Sequence, residues 1–351
     1  MAPTRSELRP EPVAPARPRR SRLRLAVLLA AVLLLAAAGL WGRFPDPLSF
    51  VDALTGADYG WVALAAALQV ASLAAFAWQQ RQLLKALGVR LRAGHVLAVT
   101  LARTALSISL PAGAAVSTAY AVREYQRAGA GREIVAASMI VSGLASIGGL
   151  TLLYAVGGAA MVTRDPALLI SPRPLAVVAA LAALTAVAVV VGRRRMRRPA
   201  PDAAGRPERL DGKIAGFVRR TLESARDGWR AGAALRGRDW MIAVLYAAAN
   251  WLTDLLCLVA TCRAVGLPVG VATLAGIYLG VQIVRQVPLT PGGVGIIDTA
   301  LIAGLTAAGA TASTAVAAVL VYRLLSCWLL LPVGGIAGVV LRRAHPLALT
   351  A

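Results

Sequence analysis

The chain has 351 residues, 58% of them hydrophobic and only 15% charged, with a net charge of +21. One soluble core of this size cannot hide so much apolar surface, so a bilayer is the natural solvent and a simple globular domain is excluded. The cations would suggest nucleic acid in a soluble protein. Here they fall between apolar runs, aromatic residues are only 5% of the chain, and no basic motif interleaved with aromatics occurs, which excludes that partner class.

Residues 1–24 carry seven arginines among prolines and read as a disordered basic tail. Leu25–Trp41 is the first long apolar run. Its extended basic flank and the spans that follow favour an uncleaved transmembrane helix, 25–41, over a signal peptide. Gly60–Trp78, Ile134–Met161, Leu175–Val191, Trp240–Ala260 and Ala310–Leu341 are further apolar runs, most of them near the ~20 residues that cross a bilayer. Two more apolar stretches are broken in the middle: His95–Tyr120 at Pro111-Ala112-Gly113, and Val271–Gly309 at Pro288–Gly293. Each half is too short for a full span, which predicts a hairpin whose non-helical turn is shielded by protein or lines a cavity.

Loop 193–239 holds fourteen Arg and Lys and contains a predicted amphipathic helix around Ile214, Phe217, Val218 and Leu222. With basic loops on the cytoplasmic side, both termini are expected there, and the path closes only if each broken stretch enters and leaves on one face. At an offset near 180, Pro111-Ala112-Gly113 lies over Pro291-Gly292-Gly293, and Gly129-Ala130 over Gly309-Ala310; at 178, Lys85–Val89 lies over Arg263–Leu267. The expected fold is all-α: a polytopic integral membrane protein of about eight membrane segments. It comprises a first membrane repeat at 60–161, a linking helix at 175–191, the loop 193–239, and a second, inverted repeat at 240–341. Inverted repeats with discontinuous helices are a transporter design, with the site between the repeats.

The most informative segment is Val287–Thr299. Thr290 is placed to cap a helix that begins at Pro291, with Gly292, Gly293 and Gly295 exposing backbone amides for an anion and Asp298 about two turns in. Charges inside apolar runs are costly and expected to face a cavity or a partner. These are Arg103, Arg285 and Arg323, with the acids Asp254, one turn after Asn250, and Asp298. The surplus cation suits a phosphate-bearing ligand, although Arg–Asp pairs that merely hold the bundle together, or Arg103 reaching for the membrane surface, would use the same residues. Cys257, Cys262 and Cys327 lie in apolar runs, and His95 and His345 are far apart. No metal site, disulfide framework or cofactor is expected. Without a P-loop, a nucleophile elbow or a sizeable polar domain, the chain is not expected to be an enzyme.

Pro291-Gly292-Gly293-Val294-Gly295 with Asp298 resembles the PGGVG-x-x-E signature of the lysylphosphatidylglycerol synthase transmembrane (flippase-like) family. Val321–Trp328 is similar to that family's arginine motif on the last helix, and Ser107–Gly113 followed by Arg123 to its first Pro-Gly element. Asp298 stands where the family usually has Glu, and Ala112 where it has Gly. The resemblance covers about 60–341 and implies a multi-pass protein of the cytoplasmic membrane that flips lipids. The chain ends at Ala351 without the soluble aminoacyl-transferase domain of full-length synthases, so lipid aminoacylation is not implied. The expected partners are membrane lipids, anionic or phosphate-bearing, with homo-oligomerisation left open. Arg103 and Arg285 would attract the phosphate, the Gly292–Gly293 amides would bind it, and Arg323 would pair with Asp298 in the empty site; Pro111, Gly113, Arg123, Asn250 and Asp254 would support it. A small-solute or ion transporter, or a non-transporting partner of a cell-envelope enzyme, are the alternatives.

Overall fold

A computed structural model describes residues 55–110, 113–162, 230, 232, 235–285 and 291–344. The tail 1–24, the helix 25–41, the linking helix 175–191 and nearly all of loop 193–239 lie outside them. The described chain is helical, with no strand among its elements. In order they are α1 (Tyr59–Ala86), α2 (Ala93–Ser109), α3 (Gly113–Arg127), α4 (Arg132–Val162), α5 (Gly237–Ala264), α6 (Val271–Arg285), a 3₁₀ turn (Pro291–Gly293), α7 (Ile296–Ala307), α8 (Ala312–Arg323), a π turn (Leu324–Trp328) and α9 (Leu330–Ala344).

Four helices are long and apolar enough to cross a membrane: Tyr59–Ala86, Arg132–Gly157, Gly237–Ala264 and Ala312–Arg343, the last being α8, the π turn and α9 together. Only 22% to 39% of their most apolar windows is buried within the protein. The remainder, including Val70, Val156 and Ile336, faces outward, which suits hydrocarbon and not water. The protein is a multi-pass membrane protein. Between the spans lie two broken hairpins, α2–α3 and α6–α7, whose helices of 17, 15, 15 and 12 residues are too short to span alone. Six of the expected segments are thus present, and the other two fall on residues not described.

The sequence repeat is also a repeat of backbone. α1 ends in a left-handed glycine, Gly88, with Val89 N–H returning to Leu84 O at 2.8 Å; α5 ends likewise at Gly266, with Leu267 N–H on Cys262 O at 2.9 Å. α3 and α7 close on Gly129 and Gly309, with Ala130 N–H on Tyr125 O and Ala310 N–H on Leu305 O, both at 3.0 Å. This is the cap that a β-carbon would penalise, so glycine recurs at each site.

Equivalent helices α1 and α5 pack on one another in opposite directions. Asp58 N–H meets Ala264 O at 2.8 Å, Ser72 meets Asn250, and Gln79 Nε2 meets Ala243 O at 3.2 Å, so one number rises as the other falls. Ser72 and Asn250 are themselves equivalents, 178 residues apart, and mark where the two units cross. The repeats are therefore inverted. Each hairpin docks on the last span of the other unit. On one side α2 lies against α9, where a β-carbon on Gly334 would stand 2.5 Å from Leu101 O. On the other side the Tyr154 hydroxyl of α4 donates to Leu279 O of α6.

Candidate functional site

A cavity of about 400 Å³ opens where the hairpins meet the centre of the α1–α5 seam. The hairpin turns touch one another. A β-carbon on Gly292 would lie 3.0 Å from Ile108 Cγ2 and 3.1 Å from Ile108 O, so only glycine lets the second turn approach the first this closely. In the first hairpin Leu110, preceding Pro111, is extended (φ −116°, ψ 143°), as a residue before proline prefers. The chain then folds back so tightly that a β-carbon on Gly113 would sit 2.2 Å from Ser107 O.

Arg103 lines this cavity from α2. Its guanidinium lies 5.2 Å from the centroid of the Phe76 ring, within cation–π range, and Nη1 points to Met139 Sδ at 3.7 Å. Among the described residues no carboxylate pairs with it. It faces the cavity.

Arg323, 6% exposed at the end of α8, ties the second turn together. Its Nε lies 2.7 Å from Asp298 Oδ1, and Nη2 donates to Gly292 O at 3.1 Å. The first of these is a charge contact and not a directed hydrogen bond, because neither atom meets a partner with hydrogen-bond geometry. The expected Arg323–Asp298 pair is present, and Arg323 itself lines the cavity.

The start of α7 corrects the sequence reading. The helix does not begin at Pro291: Pro291–Gly293 form a 3₁₀ turn, and Gly292, Gly293 and Gly295 all have positive φ, 59°, 67° and 86°. Gly295 is the N-cap, and Asp298, in the first turn and not two turns in, accepts the Gly295 N–H on Oδ2 at 2.8 Å. The anion at this helix start is the protein's own carboxylate, which satisfies an otherwise orphaned amide and complements the dipole. Gly292 and Gly293 do line the cavity. Gly295 and Asp298 stand one layer behind, joined to it through Arg323.

Asp254, expected among the supporting residues, lines the cavity. It is 6% exposed on α5, and its Oδ2 receives the hydroxyls of Tyr278 from α6 at 2.7 Å and of Tyr322 from α8 at 3.1 Å. Asn250, one turn earlier, accepts from Ser72 Oγ on its own backbone and side-chain oxygens, at 3.1 and 3.2 Å. Arg123 is exposed on α3 and is not brought to the cavity. The backbone of Arg285 closes α6, but its side chain and that of Pro291, like Pro111 and Thr290 entire, lie outside the described residues.

Two residues on the wall were not singled out in the sequence. Gln69 of α1 and Gln282 of α6 are 7% and 2% exposed, and the amide oxygen of each is buried without a donor. An unmet acceptor of this kind costs about 1–3 kcal/mol. Their only signal was a lone amide in an otherwise apolar run. The cavity is thus lined by two cations, Arg103 and Arg323, and by the polar side chains of Asp254, Gln69 and Gln282.

A family model described as the lysylphosphatidylglycerol synthase TM region matches residues 23–334. No curated protein matches the chain.

Proposed function

Because the chain belongs to the lysylphosphatidylglycerol synthase transmembrane-region family, membrane proteins of lipid-related cell-envelope function, we propose that it carries a phosphate-bearing lipid head group between leaflets of the cytoplasmic membrane. The observation that carries this reading is Arg103, a guanidinium on the cavity wall with no carboxylate partner among the described residues. A cation left so in an apolar surround is stabilised when an anion arrives, and phosphate takes the planar fork of an arginine in two parallel bonds.

The volume sets the division of labour. A cavity of about 400 Å³ is in the range of small-ligand sites and holds a polar head, not two acyl chains. The chains stay in hydrocarbon while the head crosses. A phosphate entering between Arg103 and Arg323 competes with Asp298 for Arg323. The exchange replaces one anion by another and leaves no bare buried charge, which keeps the barrier low. Released from Arg323, Asp298 still holds the Gly295 amide, so α7 keeps its cap while the turn at Gly292 is freed to move.

Both termini and the basic segments are on the cytoplasmic side in this reading, and the chain performs no covalent chemistry. The test is fluorescent phospholipid translocation in proteoliposomes. Arg103→Ala and Arg323→Ala should each lower the rate at least tenfold while the helical circular dichroism stays unchanged, and wild-type rates in both variants would refute the role. The cavity also has the size of a small polar solute. Uptake of a water-soluble phosphate compound with no lipid movement would replace the lipid reading by that one.

A further inference from the structure

The end of α1 carries three cations that the cavity does not use. Arg81, Lys85 and Arg90, all exposed, line with Leu91 a second pocket of about 290 Å³. Arg81 and Lys85 stand one helical turn apart on the same face, a like-charge spacing that destabilises a helix. No acidic residue lines the pocket, and among the described residues no carboxylate pairs with any of the three. The left-handed glycine Gly88 turns the chain back at the helix end, and Arg81 Nε donates to Leu91 O at 3.4 Å. That contact keeps the guanidinium beside the turn and leaves its terminal nitrogens for a ligand.

The fold itself asks for only one of these charges. A cation in the last turn complements the helix dipole, and Lys85 does so in α1 as its equivalent Arg263 does in α5. Across the same 178-residue offset Arg81 and Arg90 answer to Val259 and Pro268, so the second unit closes the matching helix without them. Basic residues that merely orient the chain act by their number and need no pocket. The 28 residues of α1 rise about 42 Å, which brings the helix end to the level of lipid head groups and not into hydrocarbon. We propose that Arg81, Lys85 and Arg90 bind the phosphate of an anionic lipid in the leaflet at this end, at a site separate from the translocation cavity. Arginine takes a phosphate in two parallel bonds and lysine meets it as a point charge. Three cations match a head group with two phosphates better than one with a single phosphate, and basic pockets at a membrane surface hold such lipids. The site depends on no part of the translocation reading.

The test is the melting temperature of the purified full-length chain in a neutral detergent, titrated with cardiolipin, whose head group holds two phosphates. Phosphatidylcholine and inorganic phosphate are the parallel arms. A ligand that binds only the folded state raises the melting temperature with its concentration. The wild type should melt higher in cardiolipin, saturably, and respond to neither of the others. Arg81→Gln combined with Arg90→Gln should raise the half-saturating concentration at least tenfold. Arg132→Gln removes an exposed cation at the start of α4, whose Ile134 and Val135 pack with Leu84 and Leu91 at the same end, and should shift it less than twofold. Should the double variant fail to fold, Arg90→Gln alone should give a severalfold rise. Equal melting of the wild type in all three arms overturns the site, and so does a wild-type response in the variant that folds. A tenfold rise in Arg132→Gln as well assigns the binding to general surface charge and also overturns it. A response to inorganic phosphate that matches the one to cardiolipin overturns the lipid assignment in favour of free phosphate. A response lost in Arg103→Ala and kept in the double variant belongs to the cavity and overturns the separate site.

Discussion

Gly334 and Gly335 are neighbours on α9 with opposite demands. A β-carbon on Gly334 would meet Leu101 O and Ala105 Cβ at 2.5 Å, whereas at Gly335 it would meet nothing within 4 Å. Alanine gains roughly 0.8–1 kcal/mol over glycine from helix propensity, and forcing a methyl into a packed seam costs about 1–3 kcal/mol. Gly335→Ala should therefore melt at or above the wild type in detergent and Gly334→Ala below it. The Arg323–Asp298 pair makes a second contrast. The Asp298 side chain is 25% exposed and keeps the Gly295 amide, while that of Arg323 is 8% exposed and would keep only Gly292 O. Stranding a fully buried charge costs about 3–5 kcal/mol, less where water reaches it. Asp298→Ala should thus lower the melting temperature more than Arg323→Ala, and adding Arg323→Ala to it should recover part of the loss. The charged members of the site were legible in the sequence because a charge inside an apolar run must face a partner or a cavity. Gln69 and Gln282 were not, since a single amide in such a run carries neither charge nor periodicity.

Among the elements, the π turn at Leu324–Trp328 has an identifiable cause. Pro332 has no N–H to return to Trp328 O and its ring crowds that carbonyl, so the helix widens in the turn before it. The widened turn begins directly after Arg323 and sets how its side chain is presented relative to α9. Pro332→Ala should let the helix close to a regular α-turn, turn Arg323 away from Asp298, and reduce lipid translocation severalfold at unchanged helicity. Translocation at the wild-type rate in that variant would mean that the turn has no part in presenting Arg323. The positions of both hairpin breaks could be read from Pro and Gly, because these residues interrupt a helix wherever they fall. The start of α7 could not. A proline ahead of a helix suggests its first residue, but the positive-φ residues Gly292, Gly293 and Gly295 carry the chain a further turn, and Asp298 then takes the capping role expected of Thr290.

For the molecule as a whole, the matched offsets predicted two inverted units, and the antiparallel seam of α1 and α5 is how the structure meets that expectation. The docking of each hairpin on the other unit's last span was not legible, since such contacts join residues far apart and leave no local pattern. The inversion can be tested in intact membranes. Arg90 and Pro268 are exposed just beyond the matching ends of α1 and α5, and the three native cysteines are buried. An impermeant maleimide should label Arg90→Cys and Pro268→Cys from opposite faces, and labelling of both from one face would contradict the inversion. The crossing of Ser72 with Asn250 has a further consequence. A body made of two interchangeable halves carries its alternate form within itself, reached when each half adopts the shape now held by its twin. Here the twins are unequal, Arg103 answering to Val281 and Asp254 to Phe76, so under the proposed translocation the two forms would differ in energy and one side would be preferred at rest.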